Sequence, residues 1–481
     1  MSGAGQPIGD AERDCLLSRV RLPVAVAVSG GADSTALMHL VAGWAKAKSA
    51  AGAMPTGVAP VLVLTVDHGL RPESASEAEW VAQQAQRLGL AHRTLRWTGP
   101  KPRTGIQEAA RAARYSLIFE ELGREPLPEP RQLLTAHHLD DQAETVLMRL
   151  ARGSGVDGLS GMREIEWRVW LKLEHPIEER TIEILRPLLG VPRSRLEATL
   201  KKACAEWLED PSNADVRYER VRLRAASRER KALGLSSDML ALSARRIAAA
   251  RAALETATHE LARAAVDLHQ GAWASIDPGA LANAPREIVL RLLQSIIGAF
   301  GGQPELPGRS QVEDLVDRLF SSKPSTTTLG GVVIDPALKL RTAPTQKTTV
   351  LAIYREPGRR PLPKAKLEPG KGLFWDRRFY LSIAPEVGQT VRVEALGQAG
   401  FATLKRLHPS LRQLPIPSRA AATLPALWAG ERLLAVPCLS VAEPSLAGPA
   451  AKDGRFLLEA RFAPQHVRSI LGEAARDDNL T

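Results

Sequence analysis

The sequence has few cysteines, and their placement limits the chemistry open to the chain. Three cysteines, Cys15, Cys204 and Cys438, occur in 481 residues. They are far apart and odd in number, so they form neither a disulfide framework nor a CxxC pair. We therefore expect three ordinary thiols in a reducing compartment, and we predict a cytoplasmic protein.

Long apolar segments are absent as well. The sequence has no run of about 18 consecutive apolar residues, so no membrane-spanning helix is predicted. Its first residues, MSGAGQPIGDAERDC, lack a basic region followed by an apolar one and are not typical of a signal peptide. We accordingly expect no membrane partner.

The chain has an excess of positive charge. Lysine and arginine number 64 against 53 aspartates and glutamates, which gives a formal net charge of +11. Such an excess favours a polyanionic partner, either nucleic acid or anionic lipid. The alternative is a surface that is merely basic, and charge alone does not decide between them.

Apolar runs and helical patterns alternate along the first part of the chain. Strands are predicted at 24–28, 61–66, 92–97 and 132–136, and helices at 34–48, 74–88, 106–122 and 140–150. This alternation predicts an α/β fold with a doubly wound parallel sheet. In such sheets ligands bind at the carboxyl ends of the strands.

The length of the chain predicts two to four domains. We place a catalytic domain at 1–234, a mostly helical domain at 235–362 and a small mixed α/β domain at 363–481. Residues 243–270 predict one long helix, and the Pro-, Gly- and Lys-rich residues 357–372 are typical of a linker.

The stretch VAVSGGADSTALMHL, residues 26–40, joins a predicted strand to a predicted helix through two glycines. Glycine lets the backbone approach a ligand closely, and the free amides of a helix start attract anions. It contains neither GxxxxGK[ST] nor GxGxxG, so the two commonest nucleotide loops are not indicated. Asp33 stands out because phosphate repels a carboxylate unless Mg²⁺ bridges the two.

A second polar cluster occurs in TAHHLDDQAETVLMRLARGSG, residues 135–155. Asp140, Asp141 and Glu144 crowd the first turns of a helix just after His137. Asp140 and Glu144 form an i, i+4 pair of like charge, which a cation would relieve. Zinc is a poor alternative, because His137 and Asp141 have no third soft ligand nearby. An acidic helix start without chemistry is the other alternative.

Taken together, the motifs resemble those of the tRNA(Ile)-lysidine synthetase family. The matching segments are SGGADS (29–34), VDHGLR (66–71), AARAARY (109–115), TAHHLDDQAETVLMRLARGSG (135–155) and EDPSN (209–213). Their order and spacing match over about the first 225 residues, and weaker similarity extends to the C-terminus. The resemblance implies a PP-loop catalytic domain like that of the adenine nucleotide α-hydrolases, with appended domains that contact tRNA.

The resemblance also implies an activity. The family uses ATP to adenylate the C2 oxygen of the wobble cytidine in the isoleucine tRNA with a CAU anticodon. The side-chain amine of L-lysine then attacks C2 and expels AMP, which gives lysidine and changes the tRNA identity from methionine to isoleucine. ATP and Mg²⁺ are the implied cofactors, and the oligomeric state is left open, with a homodimer as one alternative.

Roles for individual residues follow from the same resemblance. The expected ATP-binding residues are Ser29, Gly30, Gly31, Ala32, Asp33 and Ser34. Asp33 is the expected Mg²⁺ ligand. The expected catalytic residues are Asp33, His137, Asp140, Asp141 and Glu144, with the general base unassigned. The expected nucleotide- or tRNA-binding residues are Arg111, Arg114, Arg152, Arg220, Arg222 and Arg224.

One position departs from the family pattern, and two classes of rival function remain: a different enzyme with the same loop, and a tRNA-binding protein without catalysis. Val221 stands where members often have asparagine. A tRNA thiolase is disfavoured because no cysteine lies near the acidic cluster, and GMP and argininosuccinate synthetases would lack that cluster. A tRNA-binding protein without catalysis would be free to lose Asp33 and the acids, which this chain keeps.

Overall fold

The computed structural model describes most of the chain. The described residues are 5–50, 59–102, 104–125, 127–209, 219–269, 272–341, 347–358, 361–442, 457–462 and 479–480. They form two compact units. Unit 1 comprises residues 1–171 and 179–251, and unit 2 comprises residues 172–178 and 252–481. The predicted division into three domains stays a prediction.

Unit 1 alternates strands with helices, as the apolar pattern predicts. Its strands are β1 (Val24–Ala27), β2 (Val61–Asp67), β3 (Ala91–Arg96), β4 (Arg131–Leu134), β5 (Ile165–Lys172) and β6 (Glu178–Leu185). Its helices are α1 (Asp10–Leu16), α2 (Ala32–Ala50), α3 (Ser74–Arg87), α4 (Ile106–Arg124), α5 (Leu139–Ala151), α6 (Val156–Leu159), α7 (Arg193–Lys202), α8 (Glu219–Ala225), α9 (Ser227–Ala232) and the first half of α10 (Ser237–Ala265).

The described strands of unit 1 form one sheet in the order β3-β2-β1-β4-β6-β5. Each pair from β3 to β6 in this order is parallel. The doubly wound α/β fold predicted from the sequence is therefore confirmed. Because β1 lies between β2 and β4, the carboxyl ends of these three strands meet at one edge.

Alternation along the strands explains why helices cover both faces of this sheet. Val24 and Val26 of β1 pack in the core on one face, with α2 and α7. Ala25 packs in the core on the other face, against Ile118 and Leu122 of α4. Strands with apolar side chains on both faces are typical of parallel sheets buried between helices.

Unit 2 combines helices with strands. The second half of α10 precedes α11 (Pro278–Asn283), α12 (Arg286–Gly301), α13 (Arg309–Leu319), α14 (Gly397–Leu407) and α15 (Ser418–Ala421). The strands are β7 (Val266–His269), β8 (Trp273–Ile276), β9 (Thr327–Leu329), β10 (Val332–Arg341), β11 (Lys347–Arg355), β12 (Ala365–Leu367), β13 (Gly372–Trp375), β14 (Phe379–Ile383), β15 (Val391–Ala395), β16 (Pro425–Ala429), β17 (Arg432–Val436), β18 (Val441–Ala442), β19 (Leu458–Phe462) and β20 (Asn479–Leu480).

The described strands of unit 2 form three sheets. Their orders are β7-β8-β11-β10-β9, β12-β15-β16-β17-β18 and β13-β14-β19-β20. One hydrophobic core extends through the unit from Ala262 to Phe462. The prediction that helical and mixed α/β regions follow the parallel-sheet domain is thus confirmed at the level of fold class.

Two details of the sequence prediction for this region were wrong. The long helix predicted over 243–270 ends at Ala265, because residues 266–269 pair with β8 as an antiparallel strand. The segment 357–372, predicted as a linker, contains β12, which pairs with β15. Local composition did not reveal either pairing. Both β7 and β12 are short strands, and the partner of β12, β15, lies more than 20 residues further along the sequence.

Unit 2 encloses a group of charged side chains that we call the buried triad: Arg355, Asp376 and Arg378. Their side chains are 6%, 4% and 0% exposed. Asp376 accepts hydrogen bonds from Nε of Arg355 (3.1 Å) and Nε of Arg378 (2.7 Å). Arg378 also donates to the carbonyl oxygen of Thr423 at 2.7 Å. The triad thereby fixes the turn between β13 and β14 to β11 and to the chain before β16.

No helix in the described ranges is both long enough and apolar enough to cross a membrane.

Candidate active site

Three loops meet at the carboxyl edge of the unit 1 sheet. Residues 28–31 follow β1, residues 68–73 follow β2, and residues 135–138 follow β4. The sequence motifs SGGADS, VDHGLR and TAHHLDD all fall on these loops or on the helix starts after them. The structure therefore brings together the segments that the sequence singled out.

The loop after β1 is held in shape by its own hydroxyl groups. The backbone amide of Ser29 donates to Oγ of Ser34 at 3.1 Å, and that hydroxyl donates to the carbonyl oxygen of Gly31. Oγ1 of Thr35 donates to the carbonyl oxygen of Gly30 at 3.0 Å. With Ala32 at the first position of α2, the loop ends in free helix-start amides, which form an anion site.

Gly30 is required by this loop for two reasons. Its φ is +88°, a conformation that side chains with a Cβ rarely adopt. A Cβ there would also lie 2.8 Å from Cδ1 of Leu208. Leu208 packs over the loop and donates its amide hydrogen to the carbonyl oxygen of Gly30 at 2.9 Å.

Asp33 lies at the centre of the site. Its Oδ2 is 3.5 Å from Nε2 of His138, and its Oδ1 is 3.7 Å from Nε of Arg193. Burial opposes its ionisation, but His138 and the charges of Arg193 and Arg224 outweigh that effect and lower the pKa of Asp33. The group is an anion at neutral pH, and its side chain stays 30% exposed.

The acidic helix α5 begins at His138, whose imidazole caps it. Nδ1 of His138 accepts hydrogen bonds from the backbone amides of Asp140 (3.2 Å) and Asp141 (3.4 Å). In return Oδ2 of Asp141 accepts the backbone amide hydrogen of His138 at 3.1 Å. This reciprocal arrangement is a capping box with histidine in the place of serine or threonine.

The acids of α5 differ in what they contact. Asp140 accepts from Oγ of Ser237 at 2.7 Å and from the backbone amide of Arg193 at 3.1 Å. Both of its oxygens thus have partners within unit 1. The cation-binding role expected for Asp140 stays a prediction.

Glu144 and Asp141 hold a cation already. Nε of Arg224 donates to Glu144 at 2.6 Å, and Nη2 of Arg224 lies 3.3 Å from Oδ1 of Asp141. Glu144 is 1% exposed, and burial raises its pKa despite the guanidinium of Arg224. We call Asp33, His138, Asp141, Glu144 and Arg224 the site cluster. The pairing of Arg224 with Glu144 and Asp141 shows that this pocket accommodates a cationic group.

His137 is neutral at physiological pH. Burial, together with the positive field of Arg186, lowers the pKa of His137 to about 4. Its Nδ1 is 3.1 Å from Oγ1 of Thr135. A neutral imidazole beside an acidic pocket can accept a proton, which keeps His137 a candidate general base.

Arg114 of α4 contacts the loop after β2, and Arg111 lies one turn earlier on the same helix. Nη2 of Arg114 is 3.4 Å from Nε2 of His68, and the guanidinium of Arg111 lies 5.3 Å from the centre of the Tyr115 ring. Both arginines are exposed. Burial and the charge of Arg114 lower the pKa of His68 to about 4. A nucleotide-binding role for this basic pair stays a prediction.

The remaining predicted basic residues lie on or beside α8. Arg152 ends α5 and forms an ion pair with Glu219 at 2.8 Å, while Arg220 and Arg222 are exposed. The segment 210–213 of the EDPSN motif lies outside the described residues. Val221 is half-buried, and nothing in the structure explains the substitution there.

Sequence reasoning missed three contributors to the site. His138 is not among the expected site residues, although its position directly before an acidic helix start signals a cap. Arg193 and Leu208 come from α7 and the segment after it, far along the chain. No local signal marks them, because only the folded sheet edge places them near Asp33.

No group of three or more histidine, cysteine, aspartate or glutamate residues in the described part of the chain has the geometry to hold a metal ion. Asp33 nevertheless fits a cation that takes its other ligands from phosphate and water. Its Oδ1 is buried and has no hydrogen-bond partner among the described residues. One such oxygen is what Mg²⁺ needs from a protein when it bridges to phosphates.

The parallel sheet and its glycine loop define the class of the protein: it is an α/β nucleotide-binding protein with a pyrophosphate loop. A family described as "PP-loop domain" matches residues 13–229. Among solved structures, the U34-tRNA thiolase NcsA from Methanococcus maripaludis with its [4Fe-4S] cluster is 15% identical, with a TM-score of 0.37 over 50% of this chain and 77% of that one.

Curated relatives define the family more narrowly. The tRNA(Ile)-lysidine synthase of Ruegeria pomeroyi is 36% identical over 87% of this chain and 88% of its own length. Those of Methylobacterium nodulans and Rhodopseudomonas palustris are 44% and 42% identical, over 64% and 65% of this chain and 83% and 87% of their own lengths. The chain belongs to the tRNA(Ile)-lysidine synthase family.

Proposed function

We propose that this protein ligates L-lysine to C2 of the wobble cytidine of the CAU-anticodon isoleucine tRNA, with ATP converted to AMP and pyrophosphate. One observation carries the proposal beyond family membership. The phosphate loop and the acidic helix meet at one sheet edge, where His138 lies 3.5 Å from Asp33 and 3.4 Å from Asp141. A site for anions fits the phosphates of ATP, and the neighbouring site for cations fits the side-chain ammonium of lysine.

The phosphate loop accounts for the first half of the reaction. The cytidine C2 oxygen attacks the α-phosphorus of ATP, and the bond to pyrophosphate breaks. The amides at Gly30 and Gly31 and the start of α2 stabilise the charge on the leaving pyrophosphate. Asp33 is the residue that would hold Mg²⁺, and this ion would supply further charge neutralisation there.

The acidic helix accounts for the second half. Asp141 and Glu144 attract the side-chain ammonium of lysine, as they attract Arg224 in the free protein. The amine must lose a proton before it attacks C2, because its ordinary pKa is about 10.4. His137, whose imidazole is neutral at physiological pH, is one candidate to accept that proton. Expulsion of AMP then completes lysidine.

Unit 2 contributes a basic groove that we assign to tRNA. A cavity of about 530 Å³ is lined by Lys364, Lys366, Arg392 and Trp428, among others. Glu394 pairs with Lys364 and Arg392 at 3.1 Å each, which leaves the groove with net positive charge. Basic side chains beside an aromatic ring suit phosphates and a stacked base. We expect Lys366→Ala to weaken tRNA binding and to reduce its salt dependence.

The deciding experiment is incorporation of radiolabelled lysine with ATP and Mg²⁺. Two transcripts are compared, the isoleucine tRNA and the methionine tRNA that share the CAU anticodon. Label in the first alone, with equimolar AMP, supports the proposal. Label in neither transcript, with tRNA still bound, would point to a binding protein without this catalysis. A cytoplasmic location and the need for Mg²⁺ stay predictions, and the oligomeric state stays open, with a homodimer as one alternative.

A further inference from the structure

His138 has contacts that its role as a helix cap does not use. The imidazole is 0% exposed, so it cannot touch lysine or cytidine directly. Nδ1 accepts two backbone amide hydrogens, from Asp140 and Asp141. An atom that accepts two hydrogen bonds carries no proton. While Nδ1 accepts these two amides, the ring hydrogen sits on Nε2, which defines the tautomer.

Nε2 of His138 faces two carboxylates from different elements. Oδ2 of Asp33, at the start of α2, is 3.5 Å away, and Oδ2 of Asp141, on α5, is 3.4 Å away. Both distances exceed an ordinary hydrogen bond, and Nε2 is buried without a partner among the described residues. Two anions thus flank one N–H that neither of them fully engages.

Without that N–H the two carboxylates would repel each other in a poorly hydrated pocket. Asp33 belongs to the ATP half of the site and Asp141 to the lysine half. Any shift between them would separate the adenylated carbonyl from the amine that must attack it. Misplacement of reacting groups by about 1 Å can cost about 100-fold in rate.

We propose that His138 is a positioning residue: its Nε2–H holds Asp33 and Asp141 together and so couples the phosphate loop to the acidic helix. The contacts are long in the free protein, as apo active-site hydrogen bonds often are, and shorten when the substrates bind. This inference rests on the proposed function, but its structural basis, the tautomer, can be tested without any assay of the reaction.

Two substitutions separate the cap from the bridge. His138→Asn places an acceptor near Nδ1 and preserves the cap, because asparagine is among the best N-cap residues, but it loses the donor at Nε2. His138→Gln places a donor near Nε2 and weakens the cap. Asp277→Ala is a matched control, since it removes a cap hydrogen bond from α11, a helix of unit 2.

We expect the His138→Asn variant to have a melting temperature close to that of the parent protein. Its kcat for lysine incorporation should fall about 100-fold, without a matching rise in KM. The His138→Gln variant should have a lower melting temperature. Its kcat should nevertheless be at least about tenfold higher than that of His138→Asn, because glutamine restores the donor at Nε2. Asp277→Ala should melt lower with unchanged kinetics. Parent-like kcat in His138→Asn, or no advantage of glutamine over asparagine, overturns the proposal.

A second measurement does not depend on variants that fold. The ¹⁵N spectrum of histidine-labelled parent protein reports the tautomer of each imidazole. We expect one buried ring with unprotonated Nδ1 and protonated Nε2, whose signal shifts when ATP and lysine bind together. If every buried ring carries its proton on Nδ1, the bridge does not exist. If the proposed reaction itself is absent but the tautomer is as described, only the function fails.

Discussion

Each unit of the protein contains a cluster of charged side chains with little access to water, and the two clusters differ in openness. In the buried triad of unit 2 no side chain is more than 6% exposed. In the site cluster of unit 1, Asp33 and Arg224 remain 30% and 31% exposed, although His138 and Glu144 are closed off. Both clusters include polar atoms without a partner among the described residues, such as Nη1 of Arg378 and Oδ1 of Asp33.

An unpartnered buried atom therefore does not by itself mark a functional site. What distinguishes unit 1 is that its charges lie where several strand ends open to solvent, so a ligand can reach them. The triad instead ties chain segments of one core together. We expect substitutions in the triad to reduce stability and substitutions in the site cluster to reduce activity.

The largest effect should come from Asp376→Asn. Asparagine tolerates the φ of +47° at this position but leaves two buried guanidinium groups without a counter-charge. Breaking a buried ion pair from one side costs about 3–5 kcal/mol. Urea unfolding of the full chain should show this loss for unit 2. The exposed pair of Asp317 and Arg286 provides the control, since Asp317→Ala should leave the unfolding curve unchanged.

The matching substitution in unit 1 is Asp33→Ala. It should lower ATP-dependent AMP formation about 10²- to 10³-fold, because the carboxylate that would hold Mg²⁺ beside the reacting phosphates is lost. The melting temperature should stay close to that of the parent. If the Asp33→Ala variant is unfolded, or if it converts ATP to AMP at the parent rate, then Asp33 does not serve activity in the way that distinguishes the site cluster from the buried triad.

A smaller effect should separate two neighbouring arginines of α8. Arg222 is exposed, and Arg222→Ala should weaken tRNA binding and reduce the slope of log K against log salt by about 1. Arg224 pairs with Glu144. We therefore expect Arg224→Ala to affect lysine incorporation more strongly than it affects the salt dependence of tRNA binding. Filter binding of tRNA across salt concentrations measures both. Equal slopes for the two variants would mean that Arg224 leaves the acids and contacts phosphate.

The last expected effect is a pH dependence of stability that arises in unit 1. The pKa of His68 is about 4 in the folded chain and 6.5 ordinarily, so the unfolded chain binds more protons between these values. The contribution of His68 to the free energy of unfolding should fall as pH drops from about 6.5 to 4 and be constant above that window.

His68→Gln should flatten part of this dependence, as measured by urea midpoints at several pH values. Arg114, Lys101 and Asp67 also act on the imidazole, and their charges are unchanged in the variant. A parallel pH profile for the variant would mean that His68 is not the titrating group. His137, whose pKa is also about 4, should contribute to the dependence that remains, together with His39, His92 and His269, whose pKa values burial also lowers.

The sequence predicted much of unit 1 because its signals are local. Each phosphate-loop residue lies within one strand–turn–helix segment, and the acids of α5 lie within two helical turns. The apolar runs of β1, β2 and β4 are short, β-branched or leucine-rich, and flanked by turn residues. Such patterns specify element type without knowledge of the remaining chain.

What the sequence did not predict depends on contacts between distant segments. Arg224 was expected to face tRNA, because nothing local shows that α8 turns it toward Glu144, 80 residues earlier. The strand β12 lies in a segment rich in proline, glycine and lysine, and only its pairing with β15 makes it a strand. The tautomer of His138 likewise follows from amides that the fold, and not the residue type, presents to it.

The short segment 172–178 lies between β5 and β6 yet belongs to unit 2. Within that unit the amide of Gly372 donates to the carbonyl oxygen of Leu173, and the amide of Ile177 donates to Glu459. The polypeptide therefore passes between the units three times. A single protease cut near residue 251 would release two separate polypeptides, and the first of them would still carry residues 172–178, which belong to the fold of unit 2. A gene fragment that starts at 252 would lack a piece of its own fold, so dividing this protein into independently expressed halves requires transplanting the 172–178 segment.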